Sequence, residues 1–445
     1  MEVTRRRLLG VLGATAGAGV VGYALDDGRG SVLRFGDGVD ADTRARCRRV
    51  ERRIGDLVGR RLDAPVHVRF VDPGAGDVAG ASDATGRFAS AVAAAQAIDG
   101  VTWPSSVPAR LARYDGSTRT VSFLDPEELD LSRIADRYDV VLPDGDWYPH
   151  DPLVAHELTH ALQDGLVGTI DPADATRDAA AACETVVEGT ADYVAGLYRA
   201  ACRDGRYDDY RLGPGGRLHP DAPLFVVAGD RPRYVNGRVF AHELVREAGW
   251  DALWRAHRSP PATTAAITYP TRFRKGGSTP VEPALAATGA DWLPIGRDRL
   301  GVEGLYTLLY ALGQVSLDDE AAQVDPDVTA ATTFRYAFRT TLLRDWLGDR
   351  LAAYGYVDDL DRFGYEWRTV WRSPTAAARV AAAVRDGFAA RGRSVDDGWR
   401  VADRVVWVER RDDGVSVRAA PDRAAVGDLF ASGDVPEHRP AGRRR

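Results

Sequence analysis

Val154-Ala155-His156-Glu157-Leu158-Thr159-His160-Ala161-Leu162 sets two histidines four residues apart inside an apolar run of helical period. With eight histidines and fifteen glutamates among 445 residues, a His-Glu-x-x-His string would arise by chance roughly 0.005 times, so the pattern carries information. At about 100° per residue the two imidazoles stand one turn apart on one face and can reach a single ion. Glu157 lies at the edge of that face, where its carboxylate can address a water instead of the ion, as a general base must. Val154, Leu158 and Leu162 supply the core-facing side.

A hydrolytic zinc site needs a third protein ligand and one open position. The next helical stretch, from about Pro172 to Asp204, offers Glu184, Glu188 and Asp192 four residues apart on one face. Three carboxylates so arranged repel one another unless a cation or histidine partners compensate. The combination of HExxH with a downstream glutamate resembles the gluzincin branch of zinc metallopeptidases. In that group the third ligand is a glutamate on the following helix, within Glu-Gly-x-Ala or followed four residues later by an aspartate that orients a ligand histidine. Glu188 meets both descriptions, through Glu188-Gly189-Thr190-Ala191 and through Asp192. The resemblance implies one Zn(2+) held by His156, His160 and Glu188, with Asp192 steadying a ligand and Glu157 as the base. Glu184 is the alternative ligand, or a supporting carboxylate. The implied reaction is hydrolysis of a peptide or protein substrate. His219, Tyr234 and His242 are the candidates for the donor that stabilises the tetrahedral oxyanion.

Further stretches resemble exported HExxH proteins of archaea and bacteria: Gly249-Trp250, Pro260-Pro261-Ala262-Thr263-Thr264 and Trp346-Leu347-Gly348-Asp349-Arg350. That pattern carries an acidic residue after the Thr-Thr pair and a histidine before the final proline, where this chain has Ala265 and Tyr269.

Working outward, the periodicity predicts a helix over 40–62, strands over 65–71 and 118–124, and helices over 152–165, 172–204 and 237–258. Asp-Pro pairs open the two helices that bear the motif residues. Beyond 290, helices are expected around 301–313, 328–355 and 374–391, then a hairpin of 405–409 with 415–418 about Asp412-Asp413-Gly414. The expected fold class is α+β. A zincin-like catalytic domain with an HExxH active-site helix spans 31–290, a mostly helical C-terminal module ending in a β-hairpin spans 291–435, and 436–445 form a disordered tail.

Residues 1–30 read as a twin-arginine signal peptide or anchor, with Arg5-Arg6-Arg7 before an uncharged stretch reaching Leu25. The expected location is therefore extracellular or at the cell surface, with membrane anchoring through this segment an open alternative. A net charge of −7 supplies no basic field, so no nucleic-acid partner is expected. Cys47, Cys183 and Cys202 are too scattered for a disulfide framework or a CxxC metal site and are expected as free, buried thiols. Two other function classes stay open: a catalytically silent zincin-fold surface protein acting as a binding module, and a zinc hydrolase of a non-peptide substrate.

Overall fold

The computed structural model describes residues 31–72, 86–101, 111–127, 148–164, 166, 176–213, 222–275, 279–286, 288–324 and 336–430. The signal stretch 1–30, His219 and the tail 436–445 lie outside these residues. Among the described residues no helix is long and apolar enough to cross a membrane.

The chain is a mixed α+β protein. Strands β1 (Leu33–Phe35), β2 (Val66–Val71), β3 (Ala112–Asp115) and β4 (Thr120–Leu124) form a sheet of order β1-β2-β4-β3. β1 and β4 run parallel to β2, while β3 pairs antiparallel with β4. Helix α1 (Ala41–Val58) buries Cys47, Val50, Ile54 and Val58 in the same cluster as Val66, Val68, Val121 and Phe123. This is the helical period anticipated from sequence meeting the period of two. Helix α2 (Arg87–Ala95) and strand β3 arise where the sequence shows little periodicity, because α2 is rich in alanine and carries no side-chain cap.

Helix α3 (Asp151–Gln163) places Val154, Leu158 and Leu162 in that cluster, each at most 3% exposed. Their burial contributes on the order of 2 kcal/mol per side chain. Helix α4 (Arg177–Arg203) packs against α3 and brings Val194, Tyr198 and Cys202 to the same core. A short helix α5 (Leu224–Ala228) precedes the long α6 (Arg231–Arg258), which starts six residues earlier than its periodicity indicates and is broken at Gly249, whose φ of 71° no helix contains. Two single-turn helices, α7 (Thr264–Thr268) and α8 (Pro270–Arg274), follow. Cys47, Cys183 and Cys202 are unpaired and buried.

The C-terminal part corrects the expectation of a mostly helical module. Strands β5 (Trp292–Asp298), β6 (Trp346–Tyr356), β7 (Asp359–Trp371), β8 (Arg393–Val395), β9 (Gly398–Val401), β10 (Arg404–Arg411) and β11 (Gly414–Ala420) make a seven-stranded sheet of order β5-β6-β7-β11-β10-β9-β8. The anticipated helix over 328–355 is thus strand β6 at its end. Leu351 and Ala353 pack beneath α9 (Gly301–Ala311) and α10 (Pro374–Arg391), whereas Ala352 and Tyr354 pack on the other face with α11 (Arg423–Leu429). A strand covered on both faces loses its polar alternation and reads as a helical apolar run. The helices at 301–311 and 374–391 and the β10–β11 hairpin match their expected positions. The core beneath α9 and α10 also includes Ala91, Val235, Val239 and Ala265, so packing is continuous across residue 290.

Asp349, from the Trp-Leu-Gly-Asp-Arg stretch, is 1% exposed and accepts the N–H groups of Leu300 and Gly301 at 3.0 and 2.9 Å and the Trp367 indole at 2.8 Å. It ties the start of α9 to the sheet. Ala265 is fully buried, and the Tyr269 hydroxyl donates to the Thr340 carbonyl at 2.6 Å, so both departures from the resembled pattern are packing residues.

Candidate metal centre

Helix α3 begins after the cis Tyr148–Pro149 bond. Its N-cap is His150, not the Asp151 that the Asp-Pro pair suggests: His150 Nδ1 accepts the Leu153 N–H at 3.1 Å. Asp151 instead turns inward, accepting from the Tyr198 hydroxyl at 2.8 Å with Arg46 3.7 Å away. Helix α4 is capped by Thr176, whose hydroxyl accepts from Ala179 N. Burial, reinforced by Arg199, pushes the His150 imidazole down to about 3. Its folded value lies below its unfolded one of about 6.5, so the stability it contributes is complete above pH 6.5 and is lost as pH falls from there toward 3. Asn is a good cap that cannot take a proton. The difference in melting temperature between wild type and His150→Asn is expected to shrink as pH drops from 7 to 4; a pH-independent difference removes His150 as the titrating cap.

On the face of α3 away from the sheet, His156 Nε2 and His160 Nε2 lie 3.2 Å apart, their rings crossing edge to face at 83°. Glu188, from α4, points between them, with Oε2 3.3 Å from His156 Nε2 and 3.6 Å from His160 Nε2. This is the one group among the described residues in which three metal-ligating side chains converge, their ligand atoms all within 4.8 Å. Glu188 Oε2 is buried, with no hydrogen bond of good geometry, which is costly for a charged oxygen unless a cation meets it. Burial opposes a charge on either partner, yet their mutual attraction prevails: His160 is pushed up to about 9, and Glu188 is held well below the usual carboxylate range. A divalent ion in the cleft would take the place of the His160 proton, so its binding would release a proton.

The flanking residues fall partly where the sequence put them. Glu157, next to His156 on α3, is 5% exposed, and its charge acts on both His160 and Tyr148. Tyr234, on α6, lies nearly parallel to the His156 ring at 5.9 Å. His242 sits two turns further along α6, edge-on to Tyr193 at 5.8 Å, and is not part of the cluster. Glu184, one turn before Glu188, is 47% exposed and bound to Arg233, so the alternative ligand is not brought to the histidines. Asp192 does not reach a ligand histidine either; its carboxylate pairs with the buried Arg238 of α6. That correction has a simple cause. Arg238 arrives from a helix 46 residues downstream, and a guanidinium is the stronger partner for a carboxylate.

Two residues near the cluster escape a reading by motif. Gln163 accepts the group that Asp192 was expected to hold, with Oε1 2.9 Å from His160 Nδ1. It lies three residues past His160, a spacing that shares a helix face, and that is the signal by which it could have been found. His257, 1% exposed, meets the Thr190 hydroxyl at 3.0 Å and leaves no sequence signature.

Residues 293–429, which run from β5 to α11, match the family described as a domain of unknown function (DUF8575). No curated protein and no solved structure matches the chain. The family match covers the seven-stranded sheet and its helices, and none of His156, His160 and Glu188 falls within it.

Proposed function

We propose that the chain is a zinc-dependent metallopeptidase of zincin-like fold. The observation that carries this reading is the convergence of two imidazole nitrogens from one helix turn with a carboxylate oxygen from the next helix. Two nitrogens and one oxygen form a borderline-soft donor set that suits zinc better than calcium or magnesium. Three protein ligands also leave a position for substrate, the mark of a catalytic rather than a structural site. When bound, the ion supplies a Lewis acid for a scissile carbonyl and acidifies the attacking water.

The remaining chemistry belongs to the chain's own side chains. Glu157, next to His156 but outside the ligand set, takes the proton of the attacking water on its carboxylate and returns it to the leaving amine. A structural ion has no use for such a base, which disfavours a purely architectural site. Tyr234, stacked on His156, is the candidate donor to the developing oxyanion. Export through the twin-arginine route follows from residues 4–25 and would place the substrate outside the cell.

The test is a metal and activity assay on the purified chain. One equivalent of zinc is expected, together with cleavage of casein or a quenched-fluorescent peptide library that stops on chelation and returns with zinc. One equivalent of zinc without cleavage of any peptide would favour the silent binding module or a non-peptide hydrolase. A chain that takes up no divalent metal at pH 8 would overturn the reading.

A further inference from the structure

The Gln163 side chain is 2% exposed and engages both helices that carry the candidate ligands. Its Oε1 lies 2.9 Å from His160 Nδ1, on α3. Its Nε2 donates to the main-chain carbonyl of Val187 at 2.9 Å, on α4 and immediately before Glu188. A carbonyl oxygen only accepts, so the amide nitrogen must face Val187 and the amide oxygen must face the ring. The reverse orientation would set two oxygens against each other and lose the buried hydrogen bond to Val187. With the oxygen fixed toward the ring, His160 Nδ1 must carry a proton, and Nε2 is the nitrogen left to offer its lone pair to the cluster.

We propose that Gln163 is a positioning residue for the metal centre: through its two hydrogen bonds it fixes the His160 tautomer and ties that ligand to the backbone next to Glu188. The inference rests on the metal-site reading and adds to it a single side chain that couples the two ligand helices. Groups that orient ligand histidines are commonly carboxylates or main-chain carbonyls. Here the carboxylate expected in that role, Asp192, is occupied by Arg238, and an amide serves instead.

The test compares wild type with Gln163→Met, which keeps the volume and loses both hydrogen bonds, and Gln163→Glu, which keeps an acceptor for Nδ1–H and loses the donor to Val187. Affinity is read by competition of zinc against a chromophoric chelator at pH 8, and site geometry by the visible spectrum of the cobalt-substituted chain. Gln163→Met is expected to weaken zinc binding about 10- to 100-fold and to alter the cobalt spectrum, while Gln163→Glu recovers most of the affinity. Wild-type binding with Gln163→Met unchanged overturns the positioning role and leaves the metal centre standing. Equal losses in both variants also overturn it, since a purely structural tie would not be rescued by the acceptor alone. No wild-type binding overturns the metal centre and this inference together. Should Gln163→Met fail to fold, the two-bond proton–nitrogen NMR spectrum of the wild-type zinc complex decides: a protonated His160 Nδ1 supports the assignment, and zinc on Nδ1 overturns it.

Discussion

Glu157→Gln is expected to retain one equivalent of zinc and to lose about 10³-fold in kcat/KM on any peptide the wild type cleaves. The substitution is nearly isosteric, and Glu157 is not one of the three converging ligands, so metal affinity should change little. What disappears is the carboxylate that directly follows His156 in the chain and lies outside the three converging ligands. Glu157 is 5% exposed, follows His156 on α3, and its charge acts on His160 and Tyr148. The loss should fall on kcat, because the proton moves only in the transition state. The acid limb of the pH–rate profile should vanish with the base. A zinc-loaded Glu157→Gln chain with wild-type turnover removes Glu157 from the chemistry.

Much of the candidate site is legible in the sequence because it depends on helix geometry alone. His156 and His160 share a face by their spacing, and a carboxylate on the following amphipathic helix has few places to go once α3 and α4 pack. What spacing cannot supply is the partner from a third helix. Asp192 looks free on its own helix, and only the crossing of α6 reveals that Arg238 claims it. The same limit governs the fold. Helix α1 and strand β2 each have one polar face and are legible. Strand β6 is covered by α9 and α10 on one side and by α11 on the other, so its sequence keeps no record of its period. The departures Ala265 and Tyr269 are similar in kind: their meaning depends on the core and on the Thr340 carbonyl they meet.

Gly237→Ala is expected to destabilise the chain by about 3 kcal/mol and, if the proposed peptidase reading holds, to lower turnover about 10²-fold. A Cβ at Gly189 would lie 2.2 Å from the main-chain carbon atoms of Gly237, and one at Gly237 would lie 2.1 Å from the Thr185 carbonyl oxygen. Here α4 and α6 touch backbone to backbone, and nothing at the contact is a flexible side chain that could swing aside. A methyl group must therefore push the helices apart. The crossing sits beside the cluster, since Gly189 follows Glu188 and Tyr234 precedes Gly237 by nearly one turn. Separating the helices draws the glutamate from the histidines and the phenol from His156. The glycine after the third-ligand candidate is thus explained by close packing. Gly427→Ala is the control: it lies within α11, where an added methyl group would meet nothing within 4 Å, and should raise stability by up to about 1 kcal/mol. Thermal unfolding of both variants, with zinc titration of each, separates the outcomes. A Gly237→Ala chain as stable and as tightly metal-bound as wild type would mean that the two helices do not meet there, and Tyr234 would lose its place over His156.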